Sequence, residues 1–199
     1  MNRSTFTKCM QIMSKGYRKW YPFDMTYYDD IFEVASDNFG LITTAQAREM
    51  GIGKQELSKL AARGKLDRIG HGVYRVKHHV PEPLDAYADA VALTGPGSYV
   101  LGESVLAMHG LASVNPDVIT VGTPNRGRKS LPEYVEVVRR PKGDRIEIHD
   151  GIPSMAVADA IRLCGGRVMT ERLREAVRVA ADDGLIPRKE IPLLEMELA

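Results

Sequence analysis

The stretch Thr43–Val76 constrains the fold more than any other, because two helix-forming runs, a glycine turn and a pair of strands follow one another in it without spare residues. Thr43-Thr44 supplies capping hydroxyls and Ala45–Met50 is a run of good helix formers, which predicts a helix of about two turns. Gly51-Ile52-Gly53 ends it, since glycine enters the left-handed region without a Cβ penalty. A second helix is predicted over Lys54–Arg63. Its residues Leu57, Leu60 and Ala61 fall at i, i+3 and i+4 and form one buried stripe, leaving Gln55, Ser58, Lys59, Ala62 and Arg63 on the outer face. Gly64-Lys65 closes that helix. Leu66–Ile69 and Val73–Val76 then read as short strands of a hairpin around Gly70-His71-Gly72.

An outer helix face that is small, polar and cationic suits the DNA major groove, where side chains must reach base edges and phosphates without a bulky apolar obstruction. A hairpin beside that helix suits a wing. The module therefore reads as a winged helix-turn-helix, with Gln55, Ser58, Lys59 and Arg63 toward the groove and Arg68, His71 and Arg75 toward phosphates or the minor groove. Thr44, Gln46 and Lys54 complete the expected DNA-binding set. Each piece alone fits a solvated helix or an ordinary hairpin; their order within one short stretch carries the reading.

The remaining chain of the 199 residues is long enough for a second core. Residues 1–79 hold 13 Lys and Arg against 8 Asp and Glu, whereas 80–199 hold 14 against 18. A basic half joined to an acidic one suggests DNA on one side and a protein partner on the other. Cys9 and Cys164 offer neither a disulfide framework nor a paired-cysteine metal site, which fits a reducing cytoplasm. No apolar run has the length of a membrane span, and Lys8 interrupts any signal-peptide core near the start.

In chain order, residues 1–26 read as a basic N-terminal arm, either a DNA-clinging or subunit-exchanging arm or a partly ordered extension. Residues 27–79 form the winged helix-turn-helix domain. Its first helix is predicted over Tyr27–Asp37 with Tyr28, Ile31, Phe32 and Ala35 inward, and Leu41-Ile42 can pair with the wing as a short strand. Val80-Pro81-Glu82-Pro83 is a stiff linker, and 84–199 a small α+β domain with a short sheet flanked by helices.

That domain is expected to contain helices over Leu84–Leu93 and Glu103–His109 and strands over Ser98–Leu101, Val118–Val121 and Tyr134–Val138. An edge strand over Ile146–His149 follows. Further helices are expected from about Met155 to Cys164, over Thr170–Asp183 with Leu173, Val177 and Ala180 inward, and from near Pro187 to the end. Between the two clearest strands lies the loop Asn125-Arg126-Gly127-Arg128-Lys129, with Arg139, Arg140 and Lys142 nearby. Read as a hairpin loop, it is either solvated or offers Arg126, Arg128 and Lys129 to nucleic-acid phosphates or an acidic partner.

The residues argue against catalysis. Gly102-Glu103-Ser104-Val105-Leu106 begins like a hydrolase elbow but lacks the closing glycine, so Ser104 reads as a helix-start hydroxyl. Thr94-Gly95-Pro96-Gly97 is not followed by the Gly-Lys-Ser/Thr of a phosphate loop, and no metal-ligand spacing joins His71, His78, His79, His109 and His149. His109 reads as a helix C-terminal residue satisfied by the dipole. No catalytic residues, metal or cofactor are expected.

These residues, taken together, resemble the AbiEi-like antitoxins of type IV toxin-antitoxin, or abortive infection, systems. The resemblance runs from about Ile31 to Ile186. It rests first on Gly40-Leu41-Ile42-Thr43-Thr44-Ala45-Gln46-Ala47, Leu60-Ala61-Ala62-Arg63-Gly64-Lys65-Leu66 and Gly70-His71-Gly72-Val73-Tyr74-Arg75. Its second part rests on Gly102–Leu111, the strand and basic loop from Val118, and Gly151-Ile152-Pro153 with the helix after it. The resemblance implies a winged helix that represses its own operon at inverted repeats in double-stranded DNA. It also implies a C-terminal domain that counteracts a nucleotidyltransferase-type toxin encoded beside it. Two other readings are a stand-alone transcriptional regulator whose C-terminal domain senses a ligand or partner, and a nucleic-acid-processing enzyme targeted by the winged helix.

Overall fold

Sixteen regular elements are found among the residues that the computed structural model describes, 23–125, 130–140 and 143–198. The first group comprises α1 (Phe23–Ser36), β1 (Leu41–Thr43), α2 (Thr44–Glu49), α3 (Lys54–Ala62), β2 (Leu66–Gly70) and β3 (Val73–Val76). The second comprises α4 (Asp85–Thr94), β4 (Tyr99–Val100), α5 (Glu103–Met108), β5 (Ile119–Thr123), β6 (Val135–Arg139), β7 (Ile146–His149) and β8 (Ile152–Met155). Three helices end it, α6 (Val157–Leu163), α7 (Thr170–Asp182) and α8 (Ile191–Glu197). The architecture is mixed α+β. Arg126, Arg128, Lys129 and Lys142 lie outside the described residues, as does the arm up to residue 22.

The small sheet has the order β1-β3-β2, both pairs antiparallel, so the strand before α2 closes the hairpin's inner edge. Beneath it, Ile31, Ala35, Ile42, Ala47, Ile52, Leu57, Leu60, Leu66, Tyr74 and Val76 form one apolar cluster. Removing these side chains from water is the main force that holds three short helices too small to persist alone. Phe32 departs from the predicted inward set: it is 44% exposed. The buried stripe of α1 is narrower than predicted, running through Ile31 and Ala35, and the Phe32 ring lies out beside Tyr28 at 6.2 Å.

The larger sheet runs β6-β5-β4-β8-β7. Its second core is built from α5, α6 and α7, with Leu106, Ile161, Leu173, Val177 and Ala180 buried. The inward face of α7 is the predicted one. Two expectations are corrected. β5 and β6 are parallel, with Ile119 opposite Val135, so the basic stretch between them belongs to a crossover and not to a hairpin loop. In addition, Ile152–Met155 is a strand, and the helix after it begins at Val157. The run Gly151-Ile152-Pro153-Ser154-Met155 hides its strand character because proline is normally absent from paired strands. Pro153 is accommodated because it stands opposite Ile148 where the β7–β8 ladder requires no hydrogen bond.

The stretch from Lys77 to Leu84 holds no helix or strand, but close contacts cross it. Phe39, Leu41 and Val73 belong to the larger cluster, not the smaller. Gly70 gives the reason for one approach: a Cβ there would meet Leu93 Cδ2 at 2.2 Å, so the missing side chain lets α4 lie against the hairpin. His79 Nε2 reaches Asp85 Oδ2 at 2.8 Å, and Arg75 reaches Asp89 at 2.7 Å.

Candidate nucleic-acid interface

The candidate interface is built outward from one helix cap and one backbone bond. Thr43 and Gln46 form a capping box at α2: the Gln46 N–H donates to Thr43 Oγ1 at 3.2 Å, and the Thr43 N–H donates to Gln46 Oε1 at 2.9 Å. The Thr43 hydroxyl also donates to that amide oxygen. Gln46, expected at DNA, therefore has its carbonyl oxygen committed to the cap, which is worth about 1 kcal/mol to the helix. Thr44 acts in a similar way, its N–H donating to the Gly72 carbonyl at 2.8 Å and so fastening α2 to the hairpin turn. A Cβ on Gly72 would stand 2.8 Å from Thr44 Oγ1, and its φ of +73° is glycine's territory.

Gly51, at φ +78°, turns the chain out of α2, and Ile52 fills the core between the helices. α3 then places Leu57 and Leu60 inside and Lys54, Gln55, Ser58, Lys59, Ala62 and Arg63 outside, all exposed. Gln55, Ser58, Lys59 and Arg63, the polar members that the spacing places on the outer face, are exposed, and Lys54 is exposed at the first residue of the helix. Arg63 is the C-terminal cap of α3 and not part of its last turn. The carboxylate of Glu56, which the sequence reading passed over, meets Lys59 Nζ at 2.7 Å, so one cation of the face arrives partly neutralised. Arg48 is also exposed, in the last turn of α2, where a lone cation near a helix C-terminus is normally explained by the dipole.

Arg68 and His71 lie exposed on the hairpin, with Arg68 Nε donating to the Gly70 carbonyl at 3.2 Å. Arg75 does not join them. Its side chain is only 20% exposed, paired with an Asp89 that is 14% exposed, and its Nε finds no acceptor among the described residues. The alternation of β3 turns Arg75 toward α4, so it serves the junction between hairpin and helix. Burial raises Asp89 from the ordinary carboxylate range, although the Arg75 charge pulls the other way.

The second core holds buried polar groups with structural duties. Ser104 is fully buried; its Oγ accepts from the Thr120 N–H at 2.8 Å and donates toward the Val118 carbonyl at 3.4 Å. It joins α5 to the start of β5 and is not the helix cap, which is Gly102. Cys164 is buried and its thiol is pushed up to about 12 by desolvation, which suppresses thiolate chemistry. The Tyr99 hydroxyl bonds Asp144, which Arg140 Nε also meets at 2.9 Å. Among the described residues no three His, Cys, Asp or Glu side chains gather as metal ligands, and no helix is long and apolar enough to cross a membrane.

His109 caps α5 and packs against His149, the ring centroids 4.0 Å apart and the planes tilted by 42°. Burial first, and then repulsion from His149, pushes His109 down to about 4, against a smaller opposing pull from Asp150. A histidine whose folded pKa is depressed binds its proton more weakly in the native state, so its contribution is intact above about 6.5 and disappears as pH falls through about 4. Thermal melting followed between these pH values is therefore expected to decline less steeply for His109→Gln than for the unaltered chain. An identical pH dependence in the two proteins would exclude this role.

Comparison with known proteins bears on the first of the two cores. No curated protein matches the chain. Among solved structures, the RV2827C protein from Mycobacterium tuberculosis aligns over 92% of this chain and 84% of its own, at 16% identity and a TM-score of 0.37, too low to support any argument. The family model described as transcriptional regulator, AbiEi antitoxin, matches residues 29–77, the segment that runs from α1 to the end of the hairpin. Through that segment the chain is shown to be similar to the AbiEi antitoxin family of transcriptional regulators.

Proposed function

We propose that this protein is a DNA-binding antitoxin that represses its own operon at inverted repeats and counteracts a nucleotidyltransferase-type toxin. The observation that carries the reading is the exposed face of α3, with Lys54, Gln55, Ser58, Lys59 and Arg63 around buried Leu57 and Leu60, inside the segment that matches the regulator family. In this reading residues 27–79 act as a winged helix-turn-helix. α3 enters the major groove, Arg68 and His71 on the hairpin reach the backbone or minor groove, and Thr44 holds the two parts in register. The domain over 84–199 meets the toxin or its target, and the protein acts by binding and not by catalysis.

The test is titration of the full chain onto the DNA upstream of its own gene over a range of salt. With about five phosphates neutralised, log K is expected to fall against log salt with a slope of about −4 to −5. Salt-insensitive affinity would count against this surface. Glu56 supplies a prediction of opposite sign: Glu56→Gln removes a carboxylate from the groove face and releases Lys59, so affinity at low salt is expected to rise about threefold to tenfold. Weaker binding by Glu56→Gln would mean that the Glu56–Lys59 pair positions the face and does not tax it. Co-expression with the product of the adjacent gene, scored by growth, tests the antitoxin half separately.

A second reading has one observation in its favour. A cleft of about 440 Å³ lies between the α2–hairpin junction and the second core, lined among the described residues by side chains that include Thr44, His71, Val91, Ser98 and Ile152 and by no Asp, Glu, Lys or Arg. A stand-alone regulator could hold a small uncharged ligand there. Absence of a toxin gene beside it, with DNA affinity that changes on adding such a ligand, would favour this alternative.

A further inference from the structure

β7 stands at one end of the five-stranded sheet, so one of its backbone edges has no neighbouring strand among the described residues. The ladder with β8 determines which groups lie on that edge. The Ala156 N–H donates to the Arg145 carbonyl at 2.8 Å, and Ile146, Glu147, Ile148 and His149 stand opposite Met155, Ser154, Pro153 and Ile152. Bonded and non-bonded pairs alternate in an antiparallel ladder, so Arg145, Glu147 and His149 turn their backbone groups to β8 while Ile146 and Ile148 turn theirs outward. Pro153, which has no N–H to give, stands opposite Ile148, as this assignment requires. The same two isoleucines carry exposed side chains, 41% for Ile146 and 66% for Ile148. Within the strand only Glu147 acts as the kind of charge that guards sheet edges.

We propose that β7 is a self-pairing edge, through which two copies of this chain join their sheets antiparallel about a two-fold axis at Ile148. Backbone parity restricts the centre: an axis at Glu147 would need groups that already serve β8. With the axis at Ile148, the two Ile148 residues exchange N–H to carbonyl bonds, and Ile146 of each copy lies diagonal to Ile148 of the other. Glu147 then stands opposite His149 of the second copy, an acceptor against a ring nitrogen able to donate. An axis at Ile146 also satisfies parity, but it sets Glu147 against an Arg145 already held by Glu190 at 2.7 Å and Ile148 against an Asp144 held by Arg140 at 2.8 Å. A second copy is the fitting occupant because the edge is complementary to itself in backbone pattern, in its exposed isoleucines and in the Glu147 acceptor that meets the His149 ring, the condition for an isologous contact.

So short a pairing buries far less than a standard interface, so the dimer is weak and concentration-dependent. Sedimentation of the full chain up to concentrations on the order of millimolar is expected to reveal reversible dimerisation. Ile148→Asp should weaken it about tenfold or more by setting two carboxylates against each other, with Glu147→Lys weakening it less. Melting temperatures should remain unchanged, since both side chains are exposed. Hydrogen exchange supplies the second readout: the Ile148 amide should exchange rapidly in dilute solution and become protected as concentration rises. A chain monomeric throughout, or a dimer indifferent to Ile148→Asp, would overturn the proposal. Protection of Ile148 already at the dilute limit would overturn it too, because another part of the same chain would then cover the edge.

Discussion

Replacing Lys59 and Arg63 together by alanine is expected to lower affinity for the operator by about ten- to a hundredfold at low salt, with little change in folding stability. Both side chains are exposed on the face of α3 opposite Leu57 and Leu60, so their removal leaves the core intact. Surface changes of this kind usually shift stability by no more than about 0.5 kcal/mol. Lys59 is 2.7 Å from Glu56 and already shares its charge, so the Lys59→Ala single variant should account for only part of the loss. The salt slope should become shallower by about 1 to 2, in proportion to the phosphates no longer neutralised. Unchanged affinity and slope in the double variant would remove α3 from the interface.

Leu57→Ala should produce the complementary result, a loss of binding that follows from a loss of fold. Leu57 is fully buried in the smaller cluster, and a cavity at such a site costs about 2–5 kcal/mol. That is a large share of the stability of a typical domain, about 5–15 kcal/mol. Urea unfolding should show an earlier midpoint, and DNA affinity measured near the melting range should collapse while the salt slope at low temperature stays as in the unaltered chain. If Leu57→Ala instead reduced the slope without reducing stability, the inward assignment of this stripe would be wrong. Paired with Lys59→Ala and Arg63→Ala, it separates what holds α3 in place from what α3 offers to DNA.

The elements of the first sixty described residues were legible because each depends on near neighbours. Thr43 and Gln46 cap α2 across three positions, glycine at position 51 breaks the helix by its own backbone, and the i, i+3 spacing of Leu57 and Leu60 is a property of α3 alone. Strand pairing was less legible because it is non-local. Val118–Val121 and Tyr134–Val138 are plain as strands, yet whether they run parallel depends on the path by which the chain returns from one to the other, and the strand residues themselves do not encode that. The strand at Ile152–Met155 was hidden by Pro153, whose tolerance comes from its partner across the ladder.

Arg75 marks the same division within the candidate site. By type and position it is a hairpin cation like Arg68, and only the approach of α4 turns it into the partner of Asp89. Gln46 differs, because the partner that commits its carbonyl oxygen to the cap, Thr43, lies only three residues away in sequence.

By itself the sequence determined the helix pair, its buried stripe, the cationic outer face and the hairpin, because local backbone preference and side-chain periodicity are sufficient to specify them. Tertiary structure decided that Arg75 pairs with Asp89, which strands are neighbours, and that the β7 edge at Ile146 and Ile148 has no neighbouring strand among the described residues. Those outcomes depend on residues far apart in the chain competing for the same space, hydrogen bonds and charge, and no single stretch of sequence contains both competitors.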